Sequence, residues 1–171
     1  MAKTEYLIAL GSNQRHHRHG LPAEVLKAAV HHLDENGLSI LSVSNIIKSR
    51  PIGPSSRTYA NAAAIIESEF DPVAFLSHLK QIEAQFGARR GQRWSRRVLD
   101  LDIILSSKGT FYSASFNLCI PHSAMRQRPF VLDPAAKIAP DWRDPITGLT
   151  IRQLLCRLKR AKPLDPKQKH H

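Results

Sequence analysis

The sequence holds only two cysteines in 171 residues, Cys119 and Cys156. Two isolated thiols build neither a zinc-ligand pattern nor a disulfide framework. A chain of this length buries about two thirds of its unfolded surface and needs no covalent staples. A reduced, cytoplasmic setting is therefore expected. No apolar run approaches the ~20 residues of a membrane helix, so no membrane partner is expected. The opening Met1-Ala2-Lys3-Thr4-Glu5-Tyr6 lacks the basic-then-apolar pattern of a signal peptide. Gly-x-x-x-x-Gly-Lys-Ser/Thr is absent, which excludes a P-loop as the means of holding a nucleotide. No Ser/His/Asp or Cys/His arrangement suited to a side-chain nucleophile stands out. Acid is also scarce: 14 Asp and Glu face 25 Lys and Arg, a net charge of +11. That excess points to an anionic partner, whether a polyphosphate nucleotide, a nucleic acid or an anionic membrane surface.

The apolar pattern gives one domain. Tyr6 to Leu10 reads as a buried strand entering a tight turn at Gly11-Ser12-Asn13. Leu21, Val25, Leu26, Ala29 and Leu33 repeat at helical spacing up to a stop at Gly37. Leu38 to Ile47 reads as a strand, and Tyr59 to Phe70 as another. Asp71 caps a helix with Pro72 at its first position, running to Gly87. Leu99 to Leu105 alternates as a strand, Thr110 to Leu118 suits a hairpin, and Pro121 to Phe130 reads as irregular or a short helix. Thr150 to Leu158 closes with a helix that turns Leu154, Leu155 and Leu158 inward. The order βαββαβ predicts an α+β fold: a ferredoxin-like antiparallel sheet flanked by helices, here on one face. Residues 1–160 form this domain, and 161–171 a flexible basic tail.

Three groups of residues carry the chemistry. In a strand through Leu99 to Leu105, Leu99, Leu101, Ile103 and Leu105 share one face, and Asp100 and Asp102 share the other, roughly 7 Å apart. Such a pair can hold hard cations that bridge phosphates, or be the solvent side of an ordinary amphipathic strand. The second group settles the weight: Arg89, Arg90, Arg93, Arg96 and Arg97 stand immediately before the pair with no acid among them. Guanidinium groups bind phosphate oxygens in pairs and stay charged. The third group is Pro121-His122, a turn histidine able to donate to phosphate. Tyr59 and Phe130 are flat rings able to sandwich a heterocycle, and Asn61 offers its edge a donor and an acceptor. By themselves these three read better as core or edge residues.

These pieces, in their order and spacing, resemble the 6-hydroxymethyl-7,8-dihydropterin pyrophosphokinase family. The match runs through Gly11-Ser12-Asn13, Pro51-Ile52-Gly53-Pro54, Tyr59-Ala60-Asn61-Ala62, Glu83 with Phe86-Gly87, Arg93-Trp94, Arg97-Val98-Leu99-Asp100-Leu101-Asp102-Ile103, and Pro121-His122 with Arg128. The resemblance implies transfer of pyrophosphate from ATP to the hydroxymethyl oxygen of the pterin, with release of AMP. It implies two magnesium ions on Asp100 and Asp102, and a catalytic set of Arg90, Arg97, Asp100 and Asp102. It places Glu83, Arg90, Arg93, Trp94, Arg97, Ile103, His122 and Arg128 on ATP, and Ser49, Arg50, Ile52, Tyr59, Asn61 and Phe130 on the pterin. The family's Gly-Arg-x-Arg reads Gly87-Ala88-Arg89-Arg90 here, and its Trp-Gly-Pro-Arg reads Trp94-Ser95-Arg96-Arg97. Those changes leave open a pterin-binding relative that has lost catalysis. A basic nucleic-acid-binding module is a further rival. It is disfavoured because the Leu99 to Leu105 strand shows carboxylates in place of the exposed aromatics that RNA-binding sheets use. A monomer suffices for the chemistry, and no nucleic acid is expected as partner.

Overall fold

A continuous apolar run, Tyr6 to Leu10, makes Thr4–Ser12 the strand β1, and its two neighbours in space come from distant parts of the chain. The computed structural model describes residues 2–49, 58–87 and 98–160. In chain order the elements are β1, α1 (Pro22–Glu35), β2 (Ser39–Val43), β3 (Ile47–Ser49), β4 (Tyr59–Ser68), α2 (Pro72–Phe86), β5 (Asp100–Ser106), β6 (Phe111–Ser113) and β7 (Leu118–Ile120). A 3-10 turn (Met125–Gln127), α3 (Pro129–Ile138) and α4 (Ile151–Lys159) follow. The sheet order is β2-β4-β1-β5, with β3 also paired to β4, and every pairing is antiparallel. This is the ferredoxin-like arrangement expected from the βαββαβ order. β6 and β7 form a separate hairpin.

The helices cover both faces of the sheet, not one. Tyr6, Ile8 and Leu10 of β1 pack with Ala62, Ala64 and Ile66 of β4 beneath α1 and α2. Leu7, Ala63 and Ile65 point the other way, into a second core with Val131, Leu132 and Ala135 of α3 and Ile151 and Leu154 of α4. Because both faces are covered, β4 is apolar almost throughout, and its alanines let the two layers approach closely. The sequence reading takes Pro121 to Phe130 as irregular or a short helix and assigns no element to 131–138, where most of α3 runs. Pro129 sits at the first position, where no N–H is needed, and Pro134 is accommodated inside the helix.

Local signals set the remaining ends. Asp71 accepts a hydrogen bond from the Ala74 N–H at 2.8 Å, Pro72 begins α2, and Gly87 ends it with φ +141°. Tyr6 stacks on Phe75 of α2 with ring centroids 4.2 Å apart, worth about 0.5–1.5 kcal/mol beyond burial. Thr150 and Gln153 form a reciprocal capping box on α4, whose Leu155 and Leu158 are only partly buried.

Three boundaries differ from expectation. β1 continues through Gly11 and Ser12 instead of turning there, because Asn61 and Asp100 flank Gly11 on either side. The expected strand from 38 to 47 divides into β2 and β3. Ser44, between them, donates its N–H to Ala63 and accepts the Ala63 N–H on Oγ. Leu105 leaves the face of Leu101 and Ile103: Leu7 pairs with Leu105 and Ile8 with Ile103, so Ile104 is an extra residue in a β-bulge.

Candidate active site

The far end of β1 brings three strands to one place. Gly11 lies across from Asn61 on β4 and from Asp100 on β5. Above them opens a cleft of about 490 Å³, continuous with solvent and lined by Ser12, Asn13, Tyr59, Asn61, Asp100, Asp102, Arg128 and Phe130, with Ala9 and Val131 among its apolar walls. Ala9 stands opposite Asp102 in register, so a methyl group leaves space over that carboxylate. A Cβ at Gly11 would stand 3.6 Å from Asn61 Oδ1, an ordinary van der Waals contact.

Asn61 is buried and donates from Nδ2 to Ser49 Oγ of β3 at 2.7 Å, which fixes its amide. Arg128 and Phe130 bracket Pro129 at the start of α3. The proline holds the first helical turn, and the guanidinium lies 5.8 Å from the Phe130 ring centre. Burial places His122 Nδ1 as acceptor from the Ala124 N–H at 3.2 Å, so the neutral ring carries its proton on Nε2. Burial pushes the His122 imidazolium below its ordinary range; Asp102 and Asp100 oppose this, while Arg128 and Lys80 reinforce it. His122 follows a cis Ile120–Pro121 peptide, and its N–H donates to Ile104 of β5 at 3.0 Å.

Sequence reasoning missed the clasp that holds the aspartates. Among the described residues β5 is the last strand of the sheet, with β1 paired on one side. At its other edge Glu83 of α2 accepts the Leu101 N–H at 2.6 Å, and Lys80 Nζ donates to the Leu101 carbonyl at 3.0 Å. Lys80 also donates to Glu83 at 2.7 Å and stands 4.0 Å from Asp102 Oδ1. Both polar backbone groups of Leu101, the residue between Asp100 and Asp102, are thus tied to one helix turn. Burial pushes the Glu83 carboxyl up; Lys80 and the Leu101 N–H oppose it, and Asp100 adds to the rise. The signal available in the sequence was the i, i+3 spacing of Lys80 and Glu83, which puts both on one helix face.

Of the residues expected at the site, Tyr59, Asn61, Asp100, Asp102, Arg128 and Phe130 line the one cleft. Ser49 supports it through Asn61, and His122 neighbours the aspartates. Glu83 faces β5, with its carboxylate occupied there. Ile103 is 2% exposed in the core under α1 and α2, so only its backbone can reach a nucleotide. Arg50, Ile52, Arg90, Arg93, Trp94 and Arg97, and the tail 161–171, lie outside the described residues.

Residues 7–140 match the family model for 7,8-dihydro-6-hydroxymethylpterin-pyrophosphokinase. The chain belongs to that family. Among curated relatives, the 2-amino-4-hydroxy-6-hydroxymethyldihydropteridine pyrophosphokinase of Synechocystis sp. is 40% identical over 119 residues, 70% of this chain and 60% of the relative. The enzyme of the same name from Haemophilus influenzae is 39% identical over 78% of this chain and 81% of its own length. That of Methylorubrum extorquens is 36% identical over 91% and 94%. A solved structure of the HPPK-DHPS in complex with substrates superposes with a TM-score of 0.71 at 13% identity, covering 92% of this chain and 45% of that one. At that identity it supports the fold, and its other half has no counterpart in this chain.

Proposed function

We propose that this chain transfers the pyrophosphoryl group of ATP to 6-hydroxymethyl-7,8-dihydropterin, an ATP-dependent diphosphotransferase of folate biosynthesis. The observation that carries this reading is the single cleft. It joins a carboxylate pair on β5 to a ring-and-amide set, Tyr59, Asn61 and Phe130, from β4 and α3. The pterin hydroxymethyl oxygen attacks the β-phosphorus, the bond from that phosphorus to the α,β-bridging oxygen breaks, and AMP departs. The hydroxyl proton passes to solvent water in the same step.

The donor set fits a hard divalent cation: two carboxylates two residues apart on one strand, lining a cleft with other oxygen donors nearby. Asp100 and Asp102 would hold two magnesium ions, which supply charge neutralisation to the polyphosphate. Tyr59 and Phe130 take the faces of the pterin, and Asn61, held by Ser49, reads its edge, with Arg50 and Ile52 completing that pocket. His122 donates from Nε2 to a phosphate oxygen, and Arg128 pairs with the triphosphate. Arg90, Arg93, Trp94 and Arg97 belong with them on the family resemblance. Catalysis then rests on positioning and electrostatics, since direct transfer needs no side-chain nucleophile. Residues 1–160 act as the working domain and the basic tail as an appendage. The chain acts as a cytoplasmic monomer without nucleic acid; among the described residues no helix is long and apolar enough to cross a membrane.

AMP release from ATP and magnesium tests the reading. AMP should form only when the dihydropterin is present. Asp100→Asn and Asp102→Asn should each lower turnover more than about 100-fold without lowering the thermal midpoint. Near-normal turnover in either variant removes the metal assignment. Pterin binding with no AMP in the unaltered chain would mark a catalytically silent relative.

A further inference from the structure

The strand carrying Asp100 and Asp102 is held by a cation that belongs to the chain itself. Lys80 Nζ donates to Glu83 and to the Leu101 carbonyl, and sits 4.0 Å from Asp102 Oδ1. Glu83, Asp100 and Asp102 crowd three carboxylates along one stretch of helix and strand edge. Lys80 is the described lysine that reaches both Glu83 and Asp102. Its side chain is 38% exposed and that of Asp102 30%, so the attraction is only partly screened.

We infer that Lys80 is a positioning residue that serves as the built-in counter-cation of Asp102 in the metal-free protein. Its charge sets how readily a divalent cation is taken up there. This rests on the proposed metal role of the two aspartates. A cation entering there must give up the Lys80–Asp102 attraction and tolerate a positive charge a few ångströms away. A group that favours the metal-free state over the loaded one lowers metal affinity by that difference. Lys80 therefore stabilises the empty site and weakens the filled one. A purely structural tie between α2 and β5 would do the opposite: losing it would loosen the strand and weaken metal binding.

The test is Mn²⁺ titration of the full chain without nucleotide, read by the electron paramagnetic resonance of free Mn²⁺. Thermal midpoints in EDTA and in Mn²⁺ accompany it. Lys80→Met keeps the length of the side chain and removes its charge. It should bind Mn²⁺ about tenfold more tightly than the unaltered chain. Its midpoint in EDTA should be lower, and its gain in midpoint on adding Mn²⁺ larger. Lys80→Arg, which keeps the charge, should restore the original affinity. Should Lys80→Met fold poorly, Lys80→Gln must show the same tightening. Unchanged or weaker Mn²⁺ binding in the uncharged variants, while the unaltered chain binds, overturns the counter-cation role alone. Absence of Mn²⁺ binding in the unaltered chain overturns that role and the metal assignment together.

Discussion

At the scale of single residues, a fully buried charge lies outside the cleft. Asp144, in the segment joining α3 to α4, is 0% exposed. It accepts from Arg126 Nε at 2.6 Å and from the other guanidinium nitrogen at 2.9 Å, from Thr147 Oγ1 at 2.7 Å and from the Ile146 N–H at 3.0 Å. Burial pushes this carboxyl up, and the donors outweigh it, holding it at about 2. The folded value lies below the unfolded one, so the stabilisation is complete above the ordinary carboxylate range. It is lost as pH falls from about 4 toward about 2. Arg126→Met should destabilise the fold by about 3–5 kcal/mol in urea titrations at neutral pH, because a buried charge is left uncompensated. A loss under about 1 kcal/mol would mean that Thr147 and the backbone suffice. Phe130 makes a contrasting residue-scale case. Phe130→Ala removes one face of the proposed pterin sandwich and should weaken pterin binding about 10- to 100-fold. ATP binding should hold, and titration of pterin fluorescence against calorimetry with ATP separates the two.

Among the elements, the loop from Gln14 to Gly20 depends on the charge state of a histidine. His16 and Gly20 exchange backbone hydrogen bonds of 2.8 and 2.9 Å, and His16 Nδ1 accepts both the Arg18 and His19 N–H groups at 3.1 Å. The rings of His17 and His19 stack on it, and Phe86 of α2 lies beyond. Burial lowers the His16 value, and the charges of His17, His19 and Arg18 add to the effect. The unfolded chain then takes up the proton first, so stability should fall as pH drops through about 6.5. Urea midpoints at pH 7.5 and 5.5 should differ less in His16→Asn, which keeps an acceptor and does not titrate there; an unchanged difference would clear His16 of the effect. The closure of this loop was not legible in the sequence, since it depends on tautomer and stacking. α2 was legible to the residue, because Asp71, Pro72 and Gly87 are local signals with local causes. α3 was not, because its prolines contradict helix locally and only the second apolar face of the sheet explains it. The Asp100–Asp102 pair could be read from alternation. The bulge at Ile104 and the Lys80–Glu83 clasp could not, because they are set by the register against β1 and by the packing of α2.

Over the whole molecule, one sheet with two covered faces explains why the site sits where it does. β1 and β4 contribute side chains to both cores, which anchors the strands that carry Asn61 and lead to Ser12. β5 is the last strand of the sheet among the described residues, and there side chains of α2 take its backbone hydrogen bonds. The chain's net charge is +11, and the described cleft carries Asp100 and Asp102 beside Arg128. On the proposed function the basic excess would draw in a polyphosphate, and the two carboxylates would receive the cation it brings. A nucleic-acid interface would need the reverse, a positive or aromatic floor. The two readings separate by salt. Long-range attraction between exposed charges is screened within ~10 Å at 0.1 M. Raising KCl from about 50 to 500 mM should therefore lower kcat/KM for ATP about tenfold. Pterin affinity and the thermal midpoint should hardly change, because the pterin is uncharged and the cores are apolar. A salt-independent kcat/KM would show that the excess positive charge serves something other than nucleotide capture. Inhibition by a short single-stranded RNA at micromolar concentration, relieved by the same salt, would show that the exterior does not discriminate among polyanions and that selection rests on the carboxylate floor alone.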